Sequence, residues 1–183
     1  MDYHKTDLHK RLLKNIALSV ELYYNDKDYE ICEYDVQAFM SVFLKRNFIN
    51  TNFSINREIF GKFDCAISQK SSKKPEILYE IKTFLKSKEK LNIASAYKKI
   101  EKDLIKLKDG ILKHLNSRAY LIIVCKKKDI KKVTFINNLD FVKKHINNSR
   151  KWTIKNLNKK EIKIRPSSKI LIERVWVLSW EII

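Results

Sequence analysis

The chain has 183 residues, 44% apolar and 33% charged, a globular rather than a disordered balance, enough to bury one core and short for two domains, so one domain over 1–183 is expected. Its two glycines, Gly61 and Gly110, lie far apart, which excludes a Gly-rich phosphate loop and a dinucleotide-binding turn. Lys and Arg total 39 against 21 Asp and Glu, a formal charge of +18; this favours a polyanionic partner, nucleic acid ahead of an anionic membrane surface.

Residues 6–24 carry Leu8, Leu12, Leu13, Ile16, Leu18 and Val20 at helical spacing, predicting an amphipathic helix. It would serve either as a dimerisation arm or as a cover for the chain's own core. After the polar break at 25–28 a second helix is predicted over about 30–46, with Val36, Phe39, Met40, Phe43 and Leu44 as its stripe. The period then changes. Phe53, Ile55 and Ile59 alternate with polar residues, and Phe63, Cys65 and Ile67 alternate with Asp64, Ala66 and Ser68, predicting strands, the second with an apolar and a polar face. Residues 69–75 (QKSSKKP) form a turn, and 76–84 (EILYEIKTF) complete an antiparallel hairpin.

Helical spacing returns over 89–115, from Leu91 through Ile100, Leu104 and Leu107 to Leu115. Residues 119–125 (AYLIIVC) are continuously apolar, as a strand buried on both faces reads, and a crossover through the helix would return it to the same sheet. A Lys-rich stretch follows (Lys126-Lys127-Lys128, Lys131-Lys132), either a solvated loop or a track for phosphates. A short helix near 138–147 and strands around 151–154, 161–164 and 169–182 form a C-terminal extension over 126–183.

Cys32, Cys65 and Cys125 form no CxxC pair, which argues against a disulfide framework and a zinc site. The N-terminal run Met1-Asp2-Tyr3-His4-Lys5 lacks the apolar stretch of a secretory signal, and no apolar run approaches the length of a bilayer span, so a cytoplasmic location without membrane association is expected. Trp152, Trp176 and Trp180 could stack on bases, but the alternation in Val175-Trp176-Val177-Leu178 favours burial.

The chemistry is expected at the hairpin. Glu80 and Lys82 are two residues apart on one strand and share a face, with Ile81 turned to the other. Asp64, on the partner strand, would bring a second carboxylate. Two carboxylates suit a hard divalent cation, Mg²⁺ with Mn²⁺ as a substitute, and the Ile81 main-chain carbonyl would be a third ligand. Such a site performs phosphodiester hydrolysis, with Lys82 orienting or activating the attacking water or neutralising charge on the phosphorus centre. The bland alternative is a solvated cross-strand ion pair between Asp64 and Lys82.

Gly61-Lys62-Phe63-Asp64-Cys65-Ala66-Ile67, followed by Ile77-Leu78-Tyr79-Glu80-Ile81-Lys82, resembles the PD-(D/E)xK, restriction-endonuclease-like nuclease superfamily. The resemblance spans residues 30–125 and implies an α/β fold with an αβββαβ core, a mixed central sheet flanked by helices, here with an added N-terminal helix and C-terminal strands. It implies Asp64 and Glu80 as metal ligands and Lys82 as the active-site lysine. An acidic residue from the preceding helix is implied as Glu33, with Asp35 as its rival, and Glu58 matches another acidic position. The stretch from Tyr97 through Asp103 to Lys106-Leu107 resembles the helix that follows the lysine strand. No proline precedes Asp64, a departure from the pattern. Glu-x-Lys alone says little in so lysine-rich a chain, and Glu161-Ile162-Lys163 shows why: it repeats the spacing without a Gly-x-x-Asp hairpin partner. The expectation is therefore a Mg²⁺-dependent endonuclease acting on double-stranded DNA, in a restriction or other defence setting, as a homodimer if it cuts both strands. An RNA-directed, toxin-like nuclease of the same fold and a non-catalytic nucleic-acid-binding subunit are the alternatives.

Overall fold

The computed structural model describes residues 2–24, 30–57, 63–71, 73–85, 93–126, 152–157 and 160–183. The expected helix near 138–147, Lys127 to Lys132, Ile59, Glu58, Gly61 and Lys62 lie outside these residues. Within them the protein is α/β, with helices α1 (Asp2–Tyr24), α2 (Glu33–Phe48) and α3 (Ile93–Lys113) against one mixed sheet. The strands are β1 (Phe53–Asn56), β2 (Cys65–Gln69), β3 (Pro75–Phe84), β4 (Arg118–Lys126), β5 (Trp152–Leu157), β6 (Lys160–Ile172) and β7 (Val175–Ile182), in the spatial order β1-β2-β3-β4-β7-β6-β5.

The sheet separates two cores. On one face Leu12, Leu13, Ile16, Ala17 and Val20 of α1 and Val36, Met40 and Leu44 of α2 pack on Ile77, Tyr79, Ile81, Ile122 and Val124. The first helix thus covers its own chain, one of the two roles its pattern left open. On the other face Ile100, Leu104 and Leu107 of α3 pack on Phe63, Leu78, Leu121, Ile123 and Trp180. α3 comes close enough that a Cβ at Gly110 would lie 2.7 Å from both Leu78 Cδ1 and Phe63 Cζ. The helix needs glycine there for approach, not for a special φ.

β2 and β3 form the expected antiparallel hairpin, with Cys65 opposite Tyr79 and Ala66 opposite Leu78. β4 returns parallel to β3 after α3, from Ile77 opposite Arg118 to Phe84 opposite Cys125. Every β4 residue from Ala119 to Lys126 is buried, as its unbroken apolar run implies.

Two expectations about the strands need correction. β2 has no polar face: Cys65, Ala66, Ile67 and Ser68 are all buried, because small Ala66 and Ser68 fit beneath covering elements. Nor is 169–182 one strand. The chain turns at Glu173-Arg174, where Glu173 adopts φ 34°, so β6 and β7 pair antiparallel from Ile164–Ile182 to Ile172–Val175. Glu21 of α1 fastens this turn, accepting from Arg174 N at 3.2 Å and Nε at 2.9 Å. β7 also pairs with β4 along its length, so the C-terminal strands continue the sheet. Trp180 is fully buried, in keeping with its alternation. Among the described residues no helix is long and apolar enough to cross a membrane, and Cys32, Cys65 and Cys125 form no disulfide.

Candidate functional site

Asp64 sits in a bend immediately before β2. Phe63 belongs to the core under α3 and Cys65 to the core on the opposite face, although residues two apart in a regular strand share a face. The bend at Asp64 thus interrupts the alternation and frees its side chain. β3 runs past the start of β2, where the Ile81 N–H meets a side-chain acceptor. The Asp64 carboxylate fills this role, accepting that N–H at 2.7 Å. Continuing the register by one residue sets Asp64 opposite Glu80.

Glu80 and Lys82 share the β3 face that α3 covers. Lys82 is 14% exposed and its ammonium meets three acceptors: Glu33 Oε1 at 3.1 Å, Asp103 Oδ2 at 3.1 Å and the Ile81 carbonyl at 3.0 Å. The contacts with Glu33 and the carbonyl are hydrogen bonds and that with Asp103 is an ion pair. Glu80 is 1% exposed and is ion-paired with Lys106.

Glu33 is placed by the start of α2. Its neighbour Asp35 turns back to accept the Cys32 N–H at 2.7 Å, satisfying a helix-end donor as a capping residue does. Of the two rivals Asp35 serves the helix terminus, and Glu33 reaches Lys82.

Two further residues belong here that sequence reasoning did not assign. Asp103 and Lys106 lie one helical turn apart on α3 and meet β3 crosswise, Asp103 with Lys82 and Lys106 with Glu80. A helix returning between parallel strands runs against them, so its earlier residue meets the later strand residue. The signal was available for Asp103, which lies within the stripe formed by Ile100, Leu104, Leu107 and Gly110, where a solvated face is not expected, whereas Lys106 lies at the border of that stripe.

The electrostatics follow from this crowding. Burial pushes the Glu80 carboxyl up to about 8, and the Asp64 charge adds to it while Lys106 opposes. Burial likewise raises Glu33 and Asp103 above the ordinary carboxylate range, against the pull of Lys82. Burial alone would lower Lys82, but Asp103, Glu33 and Asp64 outweigh it and hold the ammonium above its usual range. Lys82 is therefore a firmly protonated group. It can donate hydrogen bonds and neutralise charge, but it cannot take a proton from water near neutral pH.

Among the described residues no three His, Cys, Asp or Glu side chains are grouped as a ready metal-ligand set. The oxygens nearest that role are Asp64, the buried Glu80 and the Ile81 carbonyl, with Glu33 held on Lys82. An all-oxygen set with two carboxylates fits Mg²⁺, which keeps several waters, better than a metal needing a closed protein cage. Four carboxylates (Asp64, Glu80, Glu33, Asp103) share the site with two ammoniums (Lys82, Lys106), a formal excess of two negative charges. Lys163 of the repeated Glu-x-Lys spacing is exposed on β6. No family model matches the chain, and neither do any of the curated proteins or solved structures compared with it.

Proposed function

We propose that this protein is a divalent-cation-dependent nuclease of the restriction-endonuclease-like kind, with DNA as its substrate and Asp64, Glu80 and Lys82 at its centre. The observation that carries the reading is the buried Glu80 beside Asp64, with Lys82 two residues on and turned to the same face. The succession α2, β1, β2, β3, α3, β4 has the αβββαβ order of that superfamily's core, and its hairpin carries the site. The charge distribution adds support. A site with formal negative excess within a chain of +18 leaves the positive surplus on other surfaces, where it can hold a phosphate backbone.

Asp64 and Glu80 would hold Mg²⁺, with the Ile81 carbonyl as the adjoining oxygen; the bound ion supplies Lewis-acid polarisation of the scissile phosphate and a more acidic water. Lys82, fixed by Glu33 and Asp103, presents a permanent positive charge to an anion entering the site and stabilises charge that grows on its oxygens. Asp103 and Glu33 keep that ammonium from wandering. A symmetric homodimer would present one such site to each strand.

The test is incubation of the purified protein with plasmid, duplex and single-stranded oligonucleotides and tRNA, with and without Mg²⁺ or Mn²⁺. Wild type should cut DNA only with the cation, and Asp64→Ala and Lys82→Ala should lose at least about 10²-fold in rate. Variants as active as wild type would sink the proposal, as would a wild type that leaves every substrate intact. Cleavage confined to tRNA would keep the chemistry and transfer the substrate to RNA.

A further inference from the structure

Lys106 stands apart from the other charged groups of the site. Lys82 is tied to three acceptors at 14% exposure, whereas Lys106 is 30% exposed and pairs with a carboxylate that is 1% exposed. The lysine thus reaches Glu80 from the solvent side on a flexible stem. Its ammonium also lies 5.4 Å from the centroid of the Phe63 ring, the residue before Asp64. The ammonium thus rests over that ring face while it pairs with Glu80, a contact that does not depend on the carboxylate.

The spacing of the crosswise pairs is built into the two elements. Asp103 and Lys106 are separated by a rise of roughly 4.5 Å along a helix, and Glu80 and Lys82 by roughly 6.6 Å along a strand. Side chains of ordinary length bridge that difference. The Lys82 arm is closed by a third carboxylate and a carbonyl, which makes it the fixed arm. The Lys106 arm, at 30% exposure against 14% for Lys82, is the one that a cation arriving from solvent meets first.

We propose that Lys106 is a tethered counter-ion for Glu80, which a divalent cation must displace in order to bind, so that Lys106 sets the cation affinity of the site. This rests on the nuclease reading for the identity of the cation. Without a cation, the ammonium steadies a buried carboxylate that lies beside Asp64. When a cation binds, the lysine yields Glu80 and turns towards solvent. Lys106 is in this sense a positioning residue that governs how much free cation the site requires.

Titration calorimetry of the full chain with Mn²⁺, without nucleic acid, tests this on wild type, Lys106→Gln, Lys106→Met, Lys106→Arg and Glu80→Gln, with thermal melts to verify folding. Removing the competing charge should tighten Mn²⁺ binding by about tenfold, within the usual range of coupling between two sites. Both neutral variants should show it, so failure of one to fold leaves the other. Lys106→Arg should stay near wild type, because it keeps the charge, and Glu80→Gln should lose the binding. If wild type binds Mn²⁺ through Glu80 and neither neutral variant binds more tightly, the counter-ion role is overturned while the nuclease reading stands. If neither wild type nor the neutral variants bind Mn²⁺, both fall.

Discussion

Replacing Glu80 with Gln should make the protein more stable, and the size of the gain should depend on pH in a defined direction. An exposed glutamate titrates near 4.5, and in the folded protein burial and the neighbouring Asp64 charge push Glu80 up to about 8. The folded state therefore holds this proton more tightly than the unfolded chain does. Stability from the group is fully present below about 4.5 and is lost as pH rises towards 8, the reverse of a salt-bridged carboxylate with a lowered value. At 1.36 kcal/mol per pH unit, the cost to the wild type by pH 8 has a ceiling of roughly 5 kcal/mol. Relaxation around a coupled site should leave roughly half of that, about 2–3 kcal/mol.

Gln keeps the shape without the charge, and Lys106, 30% exposed, can turn to water when its partner is neutral. Urea unfolding of wild type and Glu80→Gln at pH 5 and pH 8 isolates the effect, since shifts shared by Glu33 and Asp103 largely cancel between the two proteins. The variant should gain on wild type as pH rises, by about 2 kcal/mol or more at pH 8, with an unchanged dependence on urea. Mg²⁺ should then stabilise wild type and leave the variant unmoved, because only a ligand with preferential affinity for the folded state shifts the equilibrium. A Glu80→Gln protein less stable than wild type at pH 8 would refute the reasoning, showing that the pair with Lys106 outweighs its desolvation.

Two other perturbations follow from packing. His9 is buried against Tyr120 and Tyr79, its ring centroid 4.1 Å and 5.9 Å from theirs, and Nε2 lies 3.0 Å from Ser179 Oγ; burial lowers its value from 6.5 to about 3. A histidine held neutral loses stability as pH falls through that interval, so melting temperatures of His9→Phe should decline less than wild type between pH 6.5 and 4, and parallel curves would count against it. Gly110→Ala gains helix propensity of about 1 kcal/mol but drives a methyl to 2.7 Å from Leu78 and Phe63, an overpacking cost of about 1–3 kcal/mol; unfolding should show a net loss, and a stabilised variant would mean that this contact yields freely.

The elements most legible in the sequence were those with one strong period. α1 and α2 announced themselves by their stripes, β4 by an apolar run that only a doubly covered strand can use, and the β2–β3 hairpin by its turn. β2 misled because small residues hide burial: Ala66 and Ser68 look like a solvent face in a string of letters and lie in the core. The turn between β6 and β7 carries neither Gly nor Pro, so Glu173 takes a positive φ with no compositional warning. Asp103 and Lys106 went unassigned because charges on an amphipathic helix ordinarily mark its wet side. Its offset from Ile100, Leu104 and Leu107 places Asp103 on the buried side instead, with Lys106 at the border, and only the position of β3 shows what they meet.

That placement bears on why the charges are there. A cross-strand ion pair serving the fold alone would set Asp64 against Lys82 on a wet face, where such pairs contribute little and cost little. Here Asp64 accepts the Ile81 N–H, Lys82 lies between Glu33 and Asp103, and Glu80 is almost wholly buried. Taking several ions out of water at one end of a sheet is expensive even when they are paired, and apolar residues of similar volume often serve stability as well or better. Leu78, on the same face of β3 and fully buried under α3, shows that this surface accepts an apolar side chain readily. An apolar surface would serve the fold here as well, which supports the proposal that the carboxylate cluster is a cation site.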